Sequence, residues 1–92
     1  MQVGDYISRI EFTNMANPIT IGLITDKYID GYYQIEWQAS HNTPTKSYSK
    51  HDPRLLRCIT CKDMKLYHPT LEELFIFKQI KENPNGIYTL QV

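Results

Sequence analysis

The residues of this chain best suited to metal or redox chemistry are Cys58 and Cys61, in the run Cys58-Ile59-Thr60-Cys61, with His41, His51 and His68. Structural zinc takes about four ligands in a tetrahedron, and one Cys-x-x-Cys supplies two of them. The run continues a segment, Leu55 to Ile59, that reads as a strand, where positions three apart face opposite ways. A redox pair would stand at the start of a helix, with its thiol pKa lowered. Lys62-Asp63 follows instead, with no helical pattern. The two cysteines therefore read as structural thiols, and a chain without a secretion signal gives them no reason to form a disulfide. No metal and no cofactor is expected.

Catalytic patterns are equally sparse. The histidines stand beside Asn42, Asp52 and Pro69, in loop-like surroundings with no recognisable nucleophile paired locally. Glycines 4, 22, 31 and 86 are scattered, so there is no phosphate-cradling loop. The adjacent carboxylates of Glu72 and Glu73 would diverge. The expectation is a protein that is not an enzyme.

Aromatic and basic residues are the better functional candidates. In Tyr32-Tyr-Gln-Ile-Glu-Trp-Gln38, Tyr33, Ile35 and Trp37 alternate onto one face, which assigns them to the core. Tyr32 falls on the opposite face. With Tyr48, His51 and Arg54 it makes a candidate surface patch for a partner protein or for stacked bases. Ten Lys and Arg balance ten Asp and Glu, but unevenly along the chain. Residues 46–68 carry Lys46, Lys50, Arg54, Arg57, Lys62 and Lys65 against Asp52 and Asp63, with Tyr48 and Tyr67 interleaved. That segment motivates an alternative reading as a nucleic-acid-binding surface. The zero net charge suits a protein partner better.

These side chains need elements to position them. The 92 residues fit one small core. Pro18, Pro44, Pro53, Pro69 and Pro84 punctuate short stretches rich in Ile, Tyr, Thr and Phe, a pattern of short strands. Strands are predicted near 5–12, 19–29, 32–39, 46–50 and 55–61. Asp30-Gly31 supplies the positive φ of a hairpin turn between the second and third. Gly22 marks a bulge in the second. Lys50 to Arg54 reads as one helical turn, with Asp52 and Pro53 at its start.

The carboxyl end carries two conflicting signals. Thr70-Leu-Glu-Glu73 has the spacing of a capping box, and Leu71, Leu74, Phe75 and Phe77 could form a helical face, but Ile76 and Ile80 fall on its other side and leave no clean polar face. Asn83-Pro84-Asn85-Gly86 is turn chemistry between two apolar runs. The favoured expectation is a β-hairpin, Phe75–Lys81 with Ile87–Val92.

Several motifs together resemble a known family. Val3-Gly4-Asp5-x-Ile7, Gly22-Leu23-Ile24-Thr25, Asp30-Gly31-Tyr32-Tyr33-x-Ile35-x-Trp37 and Tyr48-Ser49-x-His51-Asp52-x-x-Leu55 resemble, in order, the strands of small SH3-like proteins encoded by tailed phages. The resemblance covers residues 3–59. It implies a mainly β chain with an SH3-like small barrel over 1–61; residues 62–92 lie outside the resemblance and are read, from their turn chemistry, as a carboxyl-terminal extension, a β-hairpin packed on the barrel or used for pairing. Fold analogy fixes no chemistry.

The functional expectation is a non-enzymatic interaction or structural module, phage-encoded, that docks on a virion or host protein. Its candidate contacts are Tyr32, Tyr48, His51 and Arg54, together with Ile87, Tyr88 and Leu90 on an unprotected last strand. An exposed strand edge pairs with another chain, a partner's or a second copy's. No run approaches the roughly 20 apolar residues of a membrane span, and the first fifteen residues, holding Asp5, Arg9 and Glu11, form no signal-peptide core. The expected location is the host cytoplasm or the virion, with no membrane partner.

Overall fold

The computed structural model describes residues 1–10, 19–29, 31–42, 45–50, 56–58 and 64–89. The protein is mainly β. Its elements are β1 (Tyr6–Ile10), β2 (Ile19–Lys27), β3 (Tyr33–Asn42), β4 (Ser47–Ser49), β5 (Leu56–Cys58), β6 (Lys65–Tyr67), α1 (Leu71–Glu82) and β7 (Ile87–Thr89). The strands form one antiparallel sheet in the order β6-β1-β2-β3-β4-β7, and β5 pairs with β3 off that path. The long strand β3 offers one edge to two short partners, β4 at Ser40–Asn42 and β5 at Tyr33–Ile35.

The β2–β3 connection forms where Asp30-Gly31 points to a turn. Gly31 takes φ +86°, which favours a residue without Cβ. Its N–H donates to the Tyr28 carbonyl at 3.2 Å, and the Tyr28 N–H donates to the Tyr32 carbonyl at 2.8 Å. These bonds close a three-residue loop with a glycine bulge, one residue longer than the two-residue Asp-Gly turn.

Gly22 marks a register shift, as its isolated place in a strand suggests. Ile21 opposes Ala39 and Gly22 opposes Trp37, so Gln38 is the extra residue on β3. A Cβ on Gly22 would stand 2.3 Å from Ile35 Cγ2 and 2.9 Å from Trp37 Cε3. The glycine lets those side chains lie across the β2 backbone. The bulge also breaks the strict alternation of β3. Tyr33 and Ile35 belong to one core cluster with Ile7, Ile24 and Met64, and Trp37 packs beside it. Ala39 belongs to a second cluster, with Ile21, Tyr48, Ile76, Phe77 and Ile80.

The carboxyl hairpin does not form: residues 71–82 are a helix. The capping box decides this. Thr70 Oγ1 accepts from the Glu73 N–H at 3.1 Å, and Glu73 Oε1 accepts from the Thr70 N–H at 3.0 Å. Glu73, Ile76, Phe77 and Ile80, spaced three and four apart, make a single buried stripe against the sheet. Asn83-Pro84-Asn85-Gly86 then turns the chain from helix into strand, and β7 pairs with β4.

A barrel closed over residues 1–61 would pair its first and fifth strands, and β1 departs from that expectation. Its neighbours are β2 and β6, while β5, from the predicted fifth strand, lies against β3. The segment beyond residue 61 thus joins the sheet at both ends of its path, through β6 and β7. Of the helical turn expected over 50–54, Lys50 lies in no regular element and the rest lies outside the described residues.

Candidate functional site

Two arrangements involve side chains with chemistry to offer, and the first positions the second. Glu73 is only 4% exposed. Its Oε2 accepts from the Tyr48 hydroxyl at 2.8 Å and from the Tyr67 hydroxyl at 2.5 Å. With the Thr70 N–H on Oε1, this acid has three donors. Burial, then the hydrogen bond to Glu73, pushes both phenols far above their ordinary range. His41 stacks on Tyr48 with ring centroids 4.3 Å apart. Burial lowers its pKa, and the nearby Glu73 carboxylate partly offsets that. The cluster pins α1 to the sheet.

Its geometry also reports on the sheet. Tyr48 stands on β4 and Tyr67 on β6, four strands apart along the path. Side chains stand roughly perpendicular to a flat sheet, which would leave those two about 19 Å apart. Both hydroxyls instead meet one oxygen, so the sheet is strongly curled toward α1.

The second arrangement lies on the far side of α1 from that anchor. Leu71, Glu72, Phe75, Ile76 and Gln79 face β7, where Ile87, Tyr88 and Thr89 complete a groove of about 650 Å³. Leu71 is 84% exposed, Phe75 61% and Ile87 75%. The Tyr88 hydroxyl donates to the Asn83 carbonyl at 3.1 Å and so holds β7 beside the helix's carboxyl end. Among the described residues Glu72 is the one charged residue lining the groove. A smaller cleft of about 180 Å³ over Trp37, ringed by Glu36, Lys50 and Lys81, falls below the ordinary size of ligand pockets.

The sequence-predicted contacts divide accordingly. Ile87 and Tyr88 come together in the groove. Tyr32 is half-buried beside the β2–β3 turn, away from it. Tyr48 is 2% exposed and its hydroxyl is engaged, so it cannot belong to a surface patch. Its strand is central, between β3 and β7, and its side chain lies under α1. His51, Arg54 and Leu90 lie outside the described residues.

Leu71, Phe75 and Gln79 are the contacts that sequence reasoning missed. For Leu71 and Phe75 the signal was present, as apolar residues left over once the 73-76-77-80 stripe is assigned to the core; Gln79 carried none. Among the described residues no three of His, Cys, Asp or Glu gather where a metal ion would need them, and no helix is long and apolar enough to cross a membrane. Comparison with family models, curated proteins and solved structures finds no match to this chain.

Proposed function

We propose that this chain is a non-enzymatic module that docks on a partner protein through the face between α1 and β7. The observation that carries this reading is the cluster of Leu71, Phe75 and Ile87, all well exposed, around one groove. The largest apolar patch on an ordinary soluble protein measures about 300–600 Å² and is often its functional surface, and this cluster is of that size. Nothing in the groove resembles a catalytic set, since its polar side chains are Glu72, Gln79, Tyr88 and Thr89.

The wider setting rests on the resemblance of residues 3–59 to the small SH3-like proteins of tailed phages. The curl that brings Tyr48 and Tyr67 onto one carboxylate favours a barrel-like sheet, while among the described residues the path stays open between β6 and β7 and β1 does not pair with β5. On this reading the protein is phage-encoded, and its partner is a virion component or a host protein met in the cytoplasm. The rival reading, nucleic-acid binding along 46–68, loses its aromatic half because Tyr48 and Tyr67 turn inward to Glu73.

The test is reconstitution with a defined partner. Proteins retained by the tagged wild-type chain, but not by Leu71→Asp/Phe75→Asp, are purified and their affinities measured. The proposal expects a loss of about 100-fold or more in the double variant, with an unchanged melting temperature. Equal affinity for both forms excludes this face. Retention that disappears on nuclease treatment favours the basic-segment reading instead.

A further inference from the structure

We infer that the occupant of the groove is an extended, apolar segment of another protein, carrying a Lys or Arg, that adds as a strand to the free edge of β7. The inference rests on the docking reading above and names its partner. Three observations lead to it.

The first is the edge. Among the described residues β7 pairs with β4 alone and ends the path of the sheet, so one row of its backbone donors and acceptors faces outward. The groove lies along this strand and is lined by all three of its residues. An added strand satisfies such a row, while its alternate side chains drop into the neighbouring groove. Leu71 and Phe75, one helical turn apart, supply the opposite wall.

The second is size. Leu71, Phe75 and Ile87 at their observed exposures present roughly 400 Å² of surface, about half of the roughly 800 Å² per partner that a standard protein–protein interface buries. Apolar atoms make up a little over half of an ordinary interface, so this area suits a docking site, and the edge and the charge choose its occupant.

The third is charge. Glu72 is exposed at the rim, and among the described residues no cation lines the groove with it. A partner segment with a Lys or Arg opposite Glu72 turns the same residue into an attraction.

A displayed library of random ten-residue segments, panned on the full chain with Phe75→Asp as the counter-selecting protein, tests this. The expected winners alternate apolar and polar residues with period two and carry a Lys or Arg. N-methylation of alternate backbone amides in a selected segment should weaken binding at least about tenfold, because it removes the ladder while keeping the side chains. Exchanging the segment's cation for Glu should weaken binding a few-fold to wild type and not to Glu72→Gln. Winners with apolar residues at helical spacing, indifferent to N-methylation, would overturn the strand while leaving the docking face intact. No enrichment over Phe75→Asp would remove both. A wild-type dimer in sedimentation that Phe75→Asp breaks would replace the partner segment with a second copy.

Discussion

The Tyr48 hydroxyl donates to the Glu73 carboxylate at 2.8 Å and so ties the central strand β4 to the first turn of α1. The bond joins residues 25 positions apart and is buried at both ends. Hydrogen bonds to charged groups contribute about 1.5–3 kcal/mol. Tyr48→Phe is expected to destabilise the protein by about that amount in urea unfolding. Tyr67→Phe, at a half-buried position, should cost less. Because both phenols share one acceptor oxygen, the double variant should depart from additivity. Additive losses would mean that the two bonds act independently.

The same cluster sets the pH limits of stability. Tyr48 and Tyr67 have raised pKa values, so the unfolded chain loses these protons first as pH rises. Their contribution is complete below about pH 10, the unfolded value, and is lost progressively above it. His41 has the opposite sign. Its lowered pKa means that the unfolded chain takes up a proton first as pH falls. Stability should drop below about pH 6.5 for this reason. His41→Phe keeps a ring against Tyr48 and should flatten the slope between pH 7 and 5. An unchanged slope would assign the acid sensitivity elsewhere.

Gly22→Ala tests the β2–β3 crossing. The new methyl would meet Ile35 and Trp37 well inside contact distance, at a buried position with a register shift beside it. Overpacking of this kind costs about 1–3 kcal/mol, and sometimes more. A melting temperature within a degree or two of wild type would show that Trp37 moves aside freely.

Much of the sheet was legible in the sequence because its signals are local. Gly31 demanded a positive φ, Gly22 broke a strand, and Tyr33-x-Ile35 alternated cleanly. The carboxyl segment was misread because a helix with one polar face was the template. Leu71 and Phe75 filled the face that should have been polar, and they are the residues that line the exposed groove. The capping box at Thr70 and Glu73 was the correct local signal, outweighed by a turn motif that serves a helix-to-strand connection equally well. Tyr48 could not be placed inside from three residues of strand. Its burial depends on β7 and α1, which lie some 25–40 residues further along.

Truncation after residue 69 follows from the helix. It removes Ile76, Phe77 and Ile80 from the second core cluster and Glu73 from its two phenols. Three buried side chains at about 1.5–3 kcal/mol each approach the whole stability of an ordinary small domain, about 5–15 kcal/mol. The truncated chain is expected to be unfolded by circular dichroism at 25 °C. A folded, cooperative 1–69 fragment would show that α1 is an appendage.

The central claim is that the α1–β7 face, not the basic segment, meets the partner. Photo-cross-linking tests it most directly, with a photoreactive phenylalanine at Phe75 in one form and at Lys65 in another. Phe75 lies in the groove, and Lys65 is exposed on β6 at the opposite end of the sheet path. Irradiation in the cell that produces the protein should give one discrete protein adduct from position 75 and none from position 65, with the partner's cross-linked peptide an extended segment bearing Lys or Arg. Adducts from position 65 alone, or adducts to nucleic acid at either position, would contradict the account.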